Sequence, residues 1–215
     1  MTPASLPQPG WWFPAPGLTW QWQLSGPPVE LSVDAQVFDI DLFDNAAAVV
    51  KELHDQGRKV IGYISVGSRE DWRPDAAQFP PEVLDKDYKG WPGEKWLDIR
   101  RIDLLRPVMC VRLDLCKSKG FEAVEPDNIE IHDNDSGFPI SYADQLAYAG
   151  WLTEEAHGRG LAIGLKNAAD MLADVLPFYD FAITDTGVDF QADCAWGRAH
   201  SISFIQKKPD SDRFS

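Results

Sequence analysis

The runs Val37 to Phe43 and Val60 to Gly67 are almost continuously apolar, punctuated by Asp or Gly. A strand that stays apolar along its length is covered on both faces, which in a soluble chain means helices packed on a parallel sheet. Between the two runs, Asn45 to Gln56 carries Ala, Val and Leu at helical spacing and stops at Gly57. The segment reads strand, helix, strand.

The unit recurs. Leu104 to Lys119 is helical in period, ends at Gly120 and leads into the apolar run Phe121 to Val124. Ser141 to Arg159 is a longer helix, with Ser141 and Asp144 in its first turn and Gly160 after its end, and leads into Leu161 to Leu165. Ala168 to Leu176 is a short helix before the run Phe181 to Thr184. Trp20 to Leu24 supplies a first strand and Ser201 to Gln206 a seventh. The expectation is an α/β fold, a (β/α)8 barrel incomplete at the C-terminus with six or seven strands. With 215 residues and 44% hydrophobic content, the chain reads as one domain over residues 1–215. The stretch Ser68 to Arg101 shows no period but is rich in Trp, Pro and Asp. It is too aromatic for disorder, and an irregular cleft wall is expected.

The 34 acidic against 20 basic side chains give a formal charge of -14, which disfavours nucleic acid and anionic membranes and suits a neutral or cationic ligand. Cys110, Cys116 and Cys194 show no zinc-site spacing, and the first two are expected as buried free thiols. His54, His132, His157 and His200 form no metal-ligand pattern and read as surface or packing residues. No cofactor or metal is expected, and the chain reads as a monomer. No apolar stretch is long enough to span a bilayer, and Met1 to Gly10 lacks the basic start and apolar core of a signal peptide.

Acidic residues gather at the ends of successive strands: Asp39 and Asp41, Glu70 and Asp71, Glu125 and Asp127 beside Asn128, then Asp185. In a parallel barrel these ends converge on one face. Paired carboxylates suit glycosidic cleavage, one protonating the leaving oxygen while the other attacks or activates water. Such a group also suits Mg²⁺ or Ca²⁺. Trp72, Trp91 and Trp96 lie in the aperiodic stretch, where flat rings serve either sugar stacking or packing, whereas Trp20, Trp22 and Trp151 read as packing. Lys166 and Asn167 end a strand, placed to hold a ligand hydroxyl, to orient a carboxylate or to start a helix.

Several segments in order carry a family likeness: Trp20-Gln21-Trp22-Gln23-Leu24, Asp39-Ile40-Asp41-Leu42-Phe43-Asp44, Tyr63-Ile64-Ser65-Val66-Gly67-Ser68, Glu70-Asp71-Trp72-Arg73-Pro74-Asp75, Gly90-Trp91-Pro92-Gly93-Glu94, Trp96-Leu97-Asp98-Ile99-Arg100, Glu125-Pro126-Asp127-Asn128 and Gly164-Leu165-Lys166-Asn167. Together they resemble glycoside hydrolase family 114, the endo-α-1,4-polygalactosaminidases, over residues 20–183, with a tail from about 190 to 215 that diverges or is shortened. The resemblance implies a (β/α)8 barrel with a catalytic Asp ending the fourth strand, which falls on Asp127. It also implies a catalytic Glu ending the sixth, which falls on Asp185 within Thr184-Asp185-Thr186-Gly187. It further implies an exported enzyme that cleaves α-1,4-linked galactosamine polysaccharide internally, with Asp127 as nucleophile and Asp185 as acid/base. Asp39, Asp41, Asp71, Trp72, Trp91, Glu125, Asn128, Lys166 and Asn167 would then bind a cationic or neutral polysaccharide. The rival readings are a catalytically impaired carbohydrate-binding barrel and a metal-dependent hydrolase using Asp39, Asp41, Glu125 and Asp127.

Overall fold

The computed structural model describes residues 10–26, 28–184 and the strand at 203–206. In chain order, β1 (Trp20–Gln23), β2 (Val37–Asp41), α1 (Ala47–Asp55) and β3 (Lys59–Ser65) come first. Three short strands follow, β4 (Ser68–Glu70), β5 (Leu84–Asp87) and β6 (Glu94–Leu97). Then come α2 (Ile102–Lys119), β7 (Ala123–Asp127), α3 (Tyr142–Gly158), β8 (Ala162–Lys166), α4 (Leu172–Val175), β9 (Phe181–Thr184) and β10 (Ser203–Gln206).

Strands β1, β2, β3, β7, β8, β9 and β10 pair in that order, all parallel. The result is a curled sheet of the (β/α)8 barrel type, incomplete among the described residues. Its two faces separate two apolar clusters. Phe38, Ile40, Val60, Ile64, Val124, Ile163 and Leu165 face outward under Val50 and Leu53 of α1, Leu105 and Met109 of α2, and Tyr148 and Leu152 of α3. Val37, Ile61, Ala123, Ala162, Phe181 and Ile183 face inward and pack against Trp11, Trp12, Leu18 and Trp20. Each fully buried Val, Leu, Ile or Phe contributes about 1.5–3 kcal/mol, so both faces hold the sheet. Trp11 closes the bottom by stacking on His157 at 3.7 Å and donating its Nε1–H to Asp180 at 2.8 Å. His157 is the packing residue expected.

The helices start and stop where their end residues dictate. Ser141 accepts from the Asp144 backbone N–H at 3.2 Å, and Asp144 accepts from the Ser141 N–H at 2.9 Å, a reciprocal cap worth about 1 kcal/mol. Gly120 ends α2 at φ +97°, a left-handed conformation that costs a residue with a Cβ.

Two expectations are corrected. The stretch after β3 is not irregular, because β4, β6 and β5 form a separate antiparallel sheet in that order. Strands of three or four residues are too short to show a period, and a register shift between Leu84 and Asp87 breaks what period there is. Cys110 is only half-buried, with Sγ 3.5 Å from Glu155, while Cys116 lies in the core. Six residues along a helix turn the second thiol well away from the first.

Candidate active site

The inward series of each strand rises from apolar to polar or charged. On β2 it runs Val37, Asp39, Asp41; on β3, Ile61, Tyr63, Ser65; on β7, Ala123, Glu125, Asp127; on β8, Ala162, Gly164, Lys166. Register places Tyr63 between Asp41 and Glu125, and Ser65 beside Asp127. Above these ends opens a cleft of about 710 Å³ lined by Trp22, Tyr63, Glu70, Trp72, Arg73, Trp91, Glu94, Asp127 and Lys166, with Leu24, Ser25 and Asp44 at one side.

Asp127 is the carboxylate of the barrel floor that reaches this cleft. The Tyr63 hydroxyl donates to its Oδ2 at 2.9 Å. Burial and the Asp127 charge push the phenol well above its usual value, so it stays a donor.

Beneath Asp127 lies a sealed acid pair. Asp39 and Glu125 are both fully buried. Among the described residues neither Asp39 oxygen receives an N–H or hydroxyl donor, and its carboxyl lies within hydrogen-bonding reach of that of Glu125. Two acids adopt that contact by sharing one proton, which leaves a single negative charge. Burial drives both acids up, Asp39 further through the charge of Glu125, so the proton belongs to the pair. The remaining charge is met at Glu125 by Lys166 Nζ at 3.0 Å and by Trp22 Nε1 at 3.1 Å. The ammonium also sits 4.6 Å from the centre of a Trp22 ring. Trp22 thus forms part of the cleft, which corrects its reading as packing.

Asp41 is occupied by protein. It accepts from the backbone N–H groups of Phe43 and Asp44 at 2.8 and 2.9 Å, and from both Arg73 amino groups at 2.9 and 2.5 Å. Arg73 also meets Glu70 at 2.8 Å. This cluster ties the β2 end to the wall sheet.

Asn128 turns away from the cleft, its amide donating to the Ser65 and Ser68 hydroxyls at 2.9 and 3.1 Å. Its φ is +61°, an unusual conformation that follows directly upon Asp127. A Cβ on Gly67 would lie 1.7 Å from the Asn128 carbonyl oxygen, so only glycine lets β3 turn so close to that residue. Ser68 continues the network by donating to Glu94 at 2.5 Å. Underneath, the buried Arg112 grips Asp75 through two nitrogens at 2.7 and 2.9 Å and donates to the Ser65 carbonyl at 2.6 Å.

Trp72 and Trp91 stand at the rim, 52% and 53% exposed, whereas Trp96 is buried against Tyr88. Asp71 lies outside the cleft lining, its backbone N–H bonded to the Gly93 carbonyl. Asn167, at φ +52°, joins β8 to β9 through its N–H and the Ile183 carbonyl at 2.9 Å. Asp185 lies outside the described residues, as do Cys194 and His200. The four carboxylates considered for a metal do not form a free ligand set, since Asp41 and Glu125 already hold cations of the chain. Among the described residues, the side chains that converge at ligand spacing are His132, Asp133 and Asp170, within 4.8 Å of one another and away from the cleft. Sequence spacing had placed no such pattern at His132.

Tyr63, Arg73 and Glu94 were not assigned roles from the sequence. The inward alternation Ile61, Tyr63, Ser65 is the signal that finds the first. Arg73 and Glu94 belong to the wall sheet, whose period is hidden.

The sequence profile of the glycoside-hydrolase family GH114 matches residues 2–209. The crystal structure of Aspergillus fumigatus Ega3 in complex with galactosamine is similar at 35% identity and a TM-score of 0.86, over 95% of this chain and 82% of that one. The glycoside hydrolase domain of PelA from Pseudomonas aeruginosa shares the fold at 15% identity and a TM-score of 0.63, over 86% and 78% of the two chains. No curated protein sequence matches. Among the described residues no helix is long and apolar enough to cross a membrane.

Proposed function

Since the chain belongs to glycoside-hydrolase family GH114, we propose that it cleaves internal α-1,4 linkages of a galactosamine-containing polysaccharide outside the cell, acting as a monomer. The observation that carries this reading is Asp127, presented on the floor of a tryptophan-rimmed cleft with a tyrosine hydroxyl on one oxygen. The likeness to Ega3, a protein crystallised with galactosamine, supports the choice of sugar.

In this reading Asp127 is the nucleophile. Its Tyr63 bond fixes one oxygen and leaves the other to approach the anomeric carbon. Asp185 is the acid/base. In the sequence it directly follows Thr184, the last residue of β9. A retaining mechanism needs the two carboxyl groups about 5–5.5 Å apart, against about 6.5–9.5 Å for inversion. Trp22, Trp72 and Trp91 line the cleft and offer ring faces to sugars.

The test is release of reducing ends from α-1,4-galactosamine polymer, with product anomers followed by proton NMR. Wild type is expected to release oligosaccharides of retained configuration, and Asp127→Asn to release none. Immediate formation of the inverted anomer removes the nucleophile role from Asp127. An Asp185→Glu variant that turns over faster than wild type supports Asp185 as acid. Binding without cleavage by both chains leaves a carbohydrate-binding barrel.

A further inference from the structure

Besides Tyr63, the ionisable groups lining the cleft are Asp44, Glu70, Glu94 and Asp127 against Arg73 and Lys166. Both cations are already engaged. Arg73 is held by Asp41 at 2.5 Å and Glu70 at 2.8 Å, with Asp44 at 3.7 Å, and Lys166 by Glu125 at 3.0 Å. Glu94 is different. It is 6% exposed, accepts the Ser68 hydroxyl at 2.5 Å and, among the described residues, has no ion pair. Its backbone N–H donates to the Trp91 carbonyl at 3.1 Å, which seats it at the root of the loop that carries the exposed Trp91 ring.

A carboxylate withdrawn from water without a cation is costly, and this one faces a cavity large enough for a sugar. We propose that Glu94 is the residue by which the cleft selects sugars bearing a free ammonium group over N-acetylated ones, the ammonium entering as the counter-ion of its carboxylate beside Trp91. The inference rests on the galactosamine reading above and names the residue that reads the amine. An acetamido group is neutral and brings no charge to Glu94. An ammonium brings one, together with three donors, and enters a cleft that Trp91 also lines.

The state of the free carboxyl agrees with this role. Burial, with the charges of Glu70 on β4 and Asp127 on β7, pushes it up to about 7 against the Ser68 hydrogen bond and the Arg73 guanidinium. A cation docking there favours the ionised form and expels the proton. Binding of an aminated sugar near pH 7 therefore releases a proton from Glu94.

Titration calorimetry of the full chain decides the matter. The ligands are a deacetylated α-1,4-galactosamine tetrasaccharide and its N-acetylated counterpart, each at pH 7 in two buffers of different ionisation enthalpy. Wild type is expected to bind the deacetylated sugar about tenfold more tightly or better. It also releases a fraction of a proton more than Glu94→Gln does. The variant loses the preference and keeps its affinity for the N-acetylated sugar. Equal affinity of wild type for both sugars overturns the proposal, as does a variant that keeps the preference. Should the variant fail to fold by circular dichroism, Glu94→Asp and the proton release of wild type decide, and no release overturns it. If wild type binds neither sugar, the galactosamine reading falls and takes this inference with it. If the preference depends on Glu94 but the polymer is not cut, selectivity stands and hydrolysis fails.

Discussion

The Tyr63 hydroxyl donates to Asp127 Oδ2 at 2.9 Å, joining the third and fourth strands of the barrel across the floor of the cleft. The bond orients the carboxylate and stabilises its charge. Tyr63→Phe removes the donor while keeping the ring in place. Turnover is expected to fall about 10- to 100-fold with little change in KM, since one hydrogen bond to a charged group contributes about 1.5–3 kcal/mol. Steady-state kinetics on the polymer check this, and an unchanged kcat removes Tyr63 from the catalytic machinery.

The proton shared by Asp39 and Glu125 makes stability depend on pH in a definite direction. Asp39 is driven well above its usual value by burial, so the folded chain holds a proton that the unfolded chain releases above about pH 4. Raising the pH from there towards neutrality lowers the stability of wild type relative to Asp39→Asn, by at most about 1.4 kcal/mol per pH unit. Urea titrations of both proteins at pH 4.5 and 7 measure the difference. Infrared spectroscopy at neutral pH should show a protonated-carboxyl band in wild type that Asp39→Asn lacks. Parallel stability curves and no lost band would mean that the pair shares no proton.

Gly67→Ala tests the close approach of β3 to Asn128. A Cβ there meets the Asn128 carbonyl oxygen at 1.7 Å, so that backbone must shift. Overpacking of this kind costs about 1–3 kcal/mol. Activity should suffer more than stability, because the displaced residue follows Asp127 and a misplacement of about 1 Å costs roughly a hundredfold in rate. A melting curve beside a kcat measurement separates the two. An active variant would show that the turn yields without moving Asp127.

Arg112→Met leaves Asp75 buried without its cation and releases the Ser65 carbonyl. Breaking a buried pair from one side costs about 3–5 kcal/mol, so the denaturant midpoint should drop sharply. The double variant Arg112→Met with Asp75→Leu should recover part of the loss, because it removes the stranded charge. Failure to recover would point to the Ser65 carbonyl as the costlier break.

Most of the barrel was legible in the sequence because its strands are long enough, and buried enough, to show their period. Phe181 to Thr184 was placed to the residue, and Gly120 and the Ser141–Asp144 pair marked their helix ends. The wall sheet was not legible, since β4, β5 and β6 span only three or four residues each. Within the site, strand ends located Asp127 and Lys166, which line the cleft, and also Asp41, which the chain itself occupies through Arg73. Sequence position reports which strand end a carboxylate occupies. It does not report which arginine arrives from elsewhere to claim it. Trp22 was missed for a related reason: its strand looks like packing until β7 brings Glu125 to its indole N–H.

Glu70, Trp72, Trp91 and Glu94 all ride on the small antiparallel sheet and its turns, whereas Glu125, Asp127 and Lys166 belong to barrel strands. On the function proposed above, the cutting tools and the gatekeepers thereby sit in different parts of the molecule. Mutations in the inserted segment can retune which polymers are admitted while the floor beneath stays as it is, so divergence among relatives should concentrate in that wall.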